Sequence, residues 1–358
     1  MPRLADGRRY PSYLPVDRRA SKAKRKRVPA FLPAIRFASD DDSVLLERND
    51  VAVLFRSDSL DNIAAGADAV FRRLGDMFTV TSVRKGFVGG GFGPGQSIPR
   101  QMAIAAGVPG ATLIPDGAQL FMGFTSTQRS ALGPGRIANF ESLRGLTDQW
   151  PRGYFRGGTT MHLSHLFEDL ERWWTTFSFQ EQVRAMARPG LHVPDKTYTL
   201  PEDVSQIESK ADVLDDVRGF RATGHSGVIQ AATRSARDAV DNYGTRHSRG
   251  TTPLQRADFN TLDNPFFWSA NPLVDKQQPT PAAGLHFVAF SPTSDLFHRA
   301  RRAMDGQFTD GSSLPVGARD RGQGFNSVIR STHRQNFLVP PRRRRSFPLA
   351  ELRSARKR

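Results

Sequence analysis

Between residues 284 and 306 the chain reads GLHFVAFSPTSDLFHRARRAMDG, and its hydrophobic period changes in the middle. GLHFVAFS reads as a buried strand. After Pro292, Leu296, Ala300 and Ala303 fall on one helical face, with Gly306 as the stop. A strand that runs straight into an amphipathic helix restricts the fold strongly. The strand needs sheet neighbours, and the helix needs that sheet to cover its apolar stripe.

The same kind of unit recurs upstream. DVAVLFRS (50–57) reads as a strand, and SLDNIAAGADAVFRRL as a helix with a Ser59 cap and Ile63, Ala67, Val70 and Leu74 at helical spacing. MFTVTSV (77–83) and AQLFMGFTST (118–127) alternate as further strands. TTMHL leads into SHLFEDLERWW, read as a helix capped by Ser164 with Leu166, Leu170 and Trp173 in a stripe. The economical fold class is α+β, with two ferredoxin-like units packed as a dimeric α+β barrel-like fold and basic terminal arms. The expected divisions are a basic arm over 1–40, a first unit over 41–150, a second unit carrying the site over 151–341, and a basic tail over 342–358.

The arms hold nearly all of the formal charge of +16. Residues 1–30 carry ten basic side chains against two acidic ones, and 342–358 carry eight against one. The remainder has 33 basic and 32 acidic residues, so the body lacks the basic face that nucleic-acid readout requires. RRASKAKRKR (18–27) and RRRR (342–345) read as solvated arms that could touch a polyanion, an anionic surface or a partner. Arg18 and Arg19 form a twin arginine, but VPAFLPAI behind them is a poor export core, so the reading leans to a cytoplasmic chain and leaves twin-arginine export open. No apolar run reaches membrane-spanning length. With no cysteine, disulfides, thiolate catalysis, Cys-ligated zinc, iron–sulfur clusters and thiolate-ligated haem are excluded.

Two local patterns invite a site. GGFGPGQS (90–97) has the spacing of a phosphate-binding loop through Gly90, Gly95 and Ser97, but Gln96 stands where the lysine belongs and Pro99 fits a helix only in its first turn. The alternative is a strand leaving its sheet through glycines. His162, His165 and Glu168 invite a metal reading; the expected cap at Ser164 puts His162 on the preceding strand and weighs against it. Trp173 and Trp174 read as core and boundary aromatics.

Taken in order, GFGPG after an alternating strand, DGAQLFMGFTST, GLTDQ (145–149), and GGTTMHLSHLFEDLERWW followed by FSFQEQ resemble the landmarks of the dye-decolourising (DyP-type) haem peroxidase superfamily, as a divergent member. The resemblance runs from about 50 to 341. In the family's Gly-x-x-Asp-Gly motif, Gly145 and Asp148 match and Gln149 replaces the second glycine. The proximal His-x-Arg-x-x-Asn-Pro-Arg segment has its counterpart in HSGVIQAATR (225–234), which keeps His225 and Arg234 but has Gly227 for the first arginine and no Asn-Pro. The distal arginine corresponds to Arg256 in LQRADFN.

The resemblance implies haem b bound through His225 as iron ligand, with Arg234 in the cofactor site and His286 or His333 as the next ligand candidates. It further implies Asp148 as proton relay and Arg256 as stabiliser of the departing hydroxide. The implied function is a haem-dependent peroxidase, an oxidoreductase using hydrogen peroxide and an unidentified reducing substrate. A haem-binding relative without turnover and a polyanion-associated protein acting through its arms are the alternatives. Homo-oligomer formation stays open.

Overall fold

A computed structural model describes residues 14–74, 77–88, 97–125, 138–200, 209–264 and 280–344. Helix α1 (Arg18–Lys24) starts on Asp17, whose side chain accepts the Ala20 N–H at 2.8 Å. The chain then crosses the body. Ala30 is fully buried, Phe37 packs with Leu296, Phe297 and Ala300, and Leu45–Leu46 forms β1. The N-terminal stretch expected as a free arm is therefore, over 14–40, a packed strap. Val28, Ala30 and Phe37 supply the apolar anchors between the charges, while Lys22 to Arg27 stay exposed. Residues 1–13 and 345–358, the rest of the expected arms, lie outside the described residues.

Helix α2 (Leu60–Leu74) forms where its spacing predicts, with the Asn62 N–H donated to Ser59 Oγ at 3.4 Å, yet it buries no residue. The strands expected over 50–57 and 77–83 do not form; Val51, Val53, Leu54, Phe78 and Val83 are exposed. Strand propensity is realised only with a ladder partner and a covered face, and these stretches have neither. Helix α3 (Ile98–Ala105) is capped by Ser97, whose Oγ accepts the Arg100 N–H at 3.2 Å and donates to the Ala118 carbonyl at 2.7 Å. Ser97 is thus used as a helix cap, with Pro99 in the first turn; Gly90, Gly95 and Gln96 lie outside the described residues. Over 118–125 the expected strand is a buried turn that places Phe121, Met122 and Phe124 inside.

The second half builds the sheet. β2 is Thr159–Glu168; α4 (Leu170–Thr176), α5 (Phe179–Met186), α6 (Lys210–Phe220) and α7 (His225–Thr233) follow. Next come β3 (Ala239–Val240) with β4 (Arg246–His247), a separate small hairpin, then β5 (Gln255–Arg256), β6 (Phe259–Thr261), β7 (Gly284–Ser291), α8 (Ser294–Met304) and β8 (Ile329–Val339). The sheet order is β1-β8-β2-β7-β5, with β6 also on β7, and β2 is antiparallel to both of its neighbours. From β2 onward this is the strand succession of one ferredoxin-like unit. Among the described residues the first expected unit contributes only β1 to that sheet.

The helix expected from Ser164 is instead the second half of β2, and α4 begins at Leu170 on Asp169, which accepts the Arg172 N–H at 3.0 Å. Pairing on both sides of a central strand outweighs the local capping preference of one serine. Strand alternation then puts Ser164, Leu166 and Glu168 on one face and His165 on the other. A register shift between His165 and Leu166 leaves Thr332 as an extra residue of β8, which returns Arg334 to the face of Ser331 and Ser164. Trp173 is fully buried, its Nε1 donating to the Met122 carbonyl at 3.2 Å, and Trp174 is partly buried beside it.

Candidate functional site: a cavity between the sheet and two helices

A cavity of about 200 Å³, widening to about 1480 Å³ of non-protein space when its solvent-open part is counted, lies between the sheet and helices α7 and α8. Leu166 of β2, Leu285 and Phe287 of β7, and Ile229 of α7 make its walls apolar, with Leu120, Met122 and Phe124 from the buried turn. Of its polar groups, His225, Glu168, Arg234, Arg256, Arg301 and Arg334 are the ionisable ones.

His225 opens α7 directly after Gly224. A Cβ on Gly224 would stand 2.0 Å from the Ala187 carbonyl oxygen, so glycine alone lets the two backbones meet there. The Gly227 N–H donates to that same carbonyl at 3.1 Å, locking the start of the helix. The imidazole packs on Phe325 with ring centroids 4.0 Å apart, and the surface it still exposes faces the cavity. Burial, reinforced by the charges of Arg256 and Arg301, pushes it down to about 3, so the ring is neutral. Neither ring nitrogen hydrogen-bonds to a described residue.

Four arginines line the same cavity in different states. Arg234 ends α7 and donates to the Gly250 carbonyl at 3.0 Å; burial lowers its pKa. Arg256, on β5 opposite Ala289, stands at the open side with its Nε 3.6 Å from Asp258. Arg301 and Arg334 are held from behind: Arg334 donates to Asp40 at 2.7 Å and also to Ser331, and Arg301 pairs with Asp305 and lies 3.8 Å from Asp40. Both guanidinium groups sit over the Phe37 ring. The strap thus supplies the counter-charge for one wall of the cavity.

The structure brings His225, Arg234 and Arg256 to one cavity and leaves Asp148 out of it. Asp148 Oδ1 accepts the Val16 N–H at 2.9 Å and the Gln149 side-chain amide at 2.7 Å, and the Asp148 N–H returns to the Val16 carbonyl. Its loop is sewn to the strap, away from the cavity lining, so the proton relay expected there has no access to a cavity ligand. The alternative ligands fall on the far face: His286 is opposite His165 across the ladder, and His333 Nδ1 is 3.0 Å from Glu47. His162 is also occupied, between Asn336 and Ser164 and stacked on Phe297. The metal reading of His162, His165 and Glu168 fails because all three lie on β2, whose alternation turns His165 to the face opposite His162 and Glu168; no group of three or more metal-ligating side chains occurs among the described residues.

Glu168 is the cavity residue weighed in the sequence only as a metal ligand. It is 5% exposed, and its Oε2 has no hydrogen-bond partner among the described residues. Burial, with the nearby Asp258 carboxyl adding to it, pushes it up to about 8. Extending the alternation of TTMHL to Glu168 is the signal that would have placed it on the face of Ser164 and Leu166.

Fold and cavity together define an α+β protein whose cavity, with mostly apolar surface, presents a neutral imidazole and several guanidinium groups. The chain belongs to DUF7405, a family of unknown function, which it matches over residues 8–341. No curated protein matches it. Among solved structures it is similar to the encapsulated DyP-type peroxidase from Mycobacterium smegmatis, at 15% identity and a TM-score of 0.41, over 80% of this chain and 64% of that one. A variant of DypB from Rhodococcus jostii RHA1 in complex with haem gives 15% identity and 0.40 over the same shares. A dye-decolorizing protein from V. cholerae gives 15% and 0.32, over 61% of this chain and 51% of that chain. The chain therefore spans less than two thirds of the length of these structures. No helix among the described residues is long and apolar enough to cross a membrane.

Proposed function

We propose that the cavity binds haem b with His225 as the ligand to iron, and that the protein is a haem-dependent peroxidase of the DyP type, acting on hydrogen peroxide and an organic donor. The observation that carries this reading is His225 itself: a neutral imidazole, without a hydrogen-bond partner among the described residues, lining a cavity with apolar walls. A metal-ligating histidine must be neutral, and burial secures that state here. The residues present fit the group: apolar walls suit the macrocycle, and Arg234 and Arg256 suit its carboxylates or an anionic ligand. Bound there, haem would supply the redox centre at which peroxide is reduced at the expense of the donor.

The chain's own residues have separable tasks. His225 binds and orients the cofactor, and the Gly224–Ala187 contact holds the imidazole in place. Arg256 supplies positive charge at the open side, where negative charge develops on a peroxide oxygen. The apolar walls exclude water from the inner part. The removal of Asp148 from the cavity favours, as the second reading, a haem-binding relative without peroxidase turnover. We further propose two packed ferredoxin-like units as the full architecture, and polyanion docking through the exposed basic residues 22–27.

The test is expression of the full chain with haem supply. A Soret band with about one haem per chain, abolished in His225→Ala, is expected for a histidine-ligated haem. A variant that keeps its haem and ligand spectrum would overturn the ligand assignment. Peroxide-driven oxidation of a dye separates the enzyme from the haem-binding relative.

A further inference from the structure

Glu168 lines the cavity, a second buried carboxyl, Asp258, lies close enough to act on its charge, and of the two only Asp258 has partners among the described residues. Asp258 accepts the Val288 N–H at 3.1 Å and lies 3.6 Å from the Arg256 guanidinium. Glu168, on β2, has neither a cation nor a donor on its buried Oε2 among the described residues, though it lines the cavity directly. Two like charges cannot both be kept ionised at low cost in such a place, so the negative charge settles on the paired Asp258 and the proton on Glu168. We propose that Glu168 is the proton carrier of this cavity, a neutral carboxylic acid in the resting protein that exchanges its proton with an oxygen ligand bound between it and Arg256.

The acid is placed where a ligand reaches it. Ser164 and Leu166 precede it on the same face of β2, so its side chain stands among wall residues and not at the surface. The charged groups that face the same space are Arg256 and Arg334 from strands of the same sheet and Arg234 and Arg301 from α7's end and α8; Arg301 and Arg334 are already paired with Asp305 and Asp40. Arg256, at the open side with its Nε 3.6 Å from Asp258, stands where it meets an anionic ligand while Glu168 supplies the proton. In that step the O–H bond at Glu168 breaks, an O–H bond forms on the ligand oxygen, and no electron changes hands. The carboxylate left behind is recharged from water through the open side. Burial holds the carboxyl protonated up to about pH 8, consistent with this role. The identity of the ligand as peroxide rests on the haem reading above; the protonation of Glu168 does not.

Infrared spectra of the full chain, titrated across about pH 8, test the protonation directly. The expected result is a protonated-carboxyl band that fades as the pH rises and is missing in Glu168→Gln. Melting temperatures give a second readout. Wild type should lose stability relative to Glu168→Gln as the pH rises from about 4.5 to about 8, since the folded state keeps a proton that the unfolded chain has released. Identical infrared spectra and parallel melting curves for the two proteins would overturn the proposal whether or not haem is bound. In the haem-loaded protein, Glu168→Gln should keep its Soret band and react with hydrogen peroxide roughly 10²-fold more slowly, with partial recovery in Glu168→Asp. An unchanged peroxide rate would overturn the proton transfer. A missing Soret band in wild type would overturn the haem reading and leave the infrared and melting results to decide Glu168.

Discussion

Replacing Asp40 with asparagine isolates the charge that ties the N-terminal strap to the cavity. Arg334 is 1% exposed, and both terminal nitrogens of its guanidinium donate to Asp40. Asparagine keeps an oxygen for the Phe37 N–H, which Asp40 accepts at 2.7 Å, so the shape of the turn survives while the negative charge goes. What remains is a buried guanidinium without its carboxylate, with the second cation, Arg301, also within 3.8 Å of the lost charge. Breaking a buried pair from one side costs about 3–5 kcal/mol. Taking roughly 2 °C per kcal/mol, the low end for larger chains, the midpoint should fall by about 6–10 °C. Thermal unfolding followed by circular dichroism measures this, and the double variant Asp40→Asn with Arg334→Met should recover most of the loss because no charge is then stranded. A single variant that melts with wild type, or a double variant no better than the single, would refute the claim that this pair fastens the strap.

Three further outcomes follow from the same geometry. Burial alone would raise Glu47, but the His333 hydrogen bond and Arg84 hold it down to about 2. Its contribution, about 3 kcal/mol, is present above the unfolded value near 4.5 and is lost as the pH falls toward 2; Glu47→Gln should flatten that part of an acid-unfolding curve. A chain starting at residue 38 loses Ala30 and Phe37 from the interior and should melt well below the full chain, whereas a free arm could be removed without effect. Gly224→Ala must move the Ala187 backbone, with an expected cost of about 1–3 kcal/mol and reduced haem loading, measured by melting and by absorbance.

Periodicity by itself located β7 and α8, because a buried strand and an amphipathic helix each carry their pattern within a few consecutive residues. It also located α2 and the buried Trp173. His225, Arg234 and Arg256 were legible through the order of degenerate motifs, and they do line one cavity. The sequence could not say how far β2 runs, since Ser164 suits a helix cap as well as a strand and only pairing with β7 and β8 decides between them. Nor could it say where Asp148 points: its motif is local, but its partner, Val16, lies 132 residues away. The strap was hidden for the same reason, its anchors being contacts such as Asn336 to the Leu32 carbonyl at 2.8 Å, across 304 residues. Glu168 became a candidate acid only when the sheet and helices closed over it, because a carboxyl holds its proton at neutral pH through desolvation, and desolvation is a property of the packed chain and not of any local pattern.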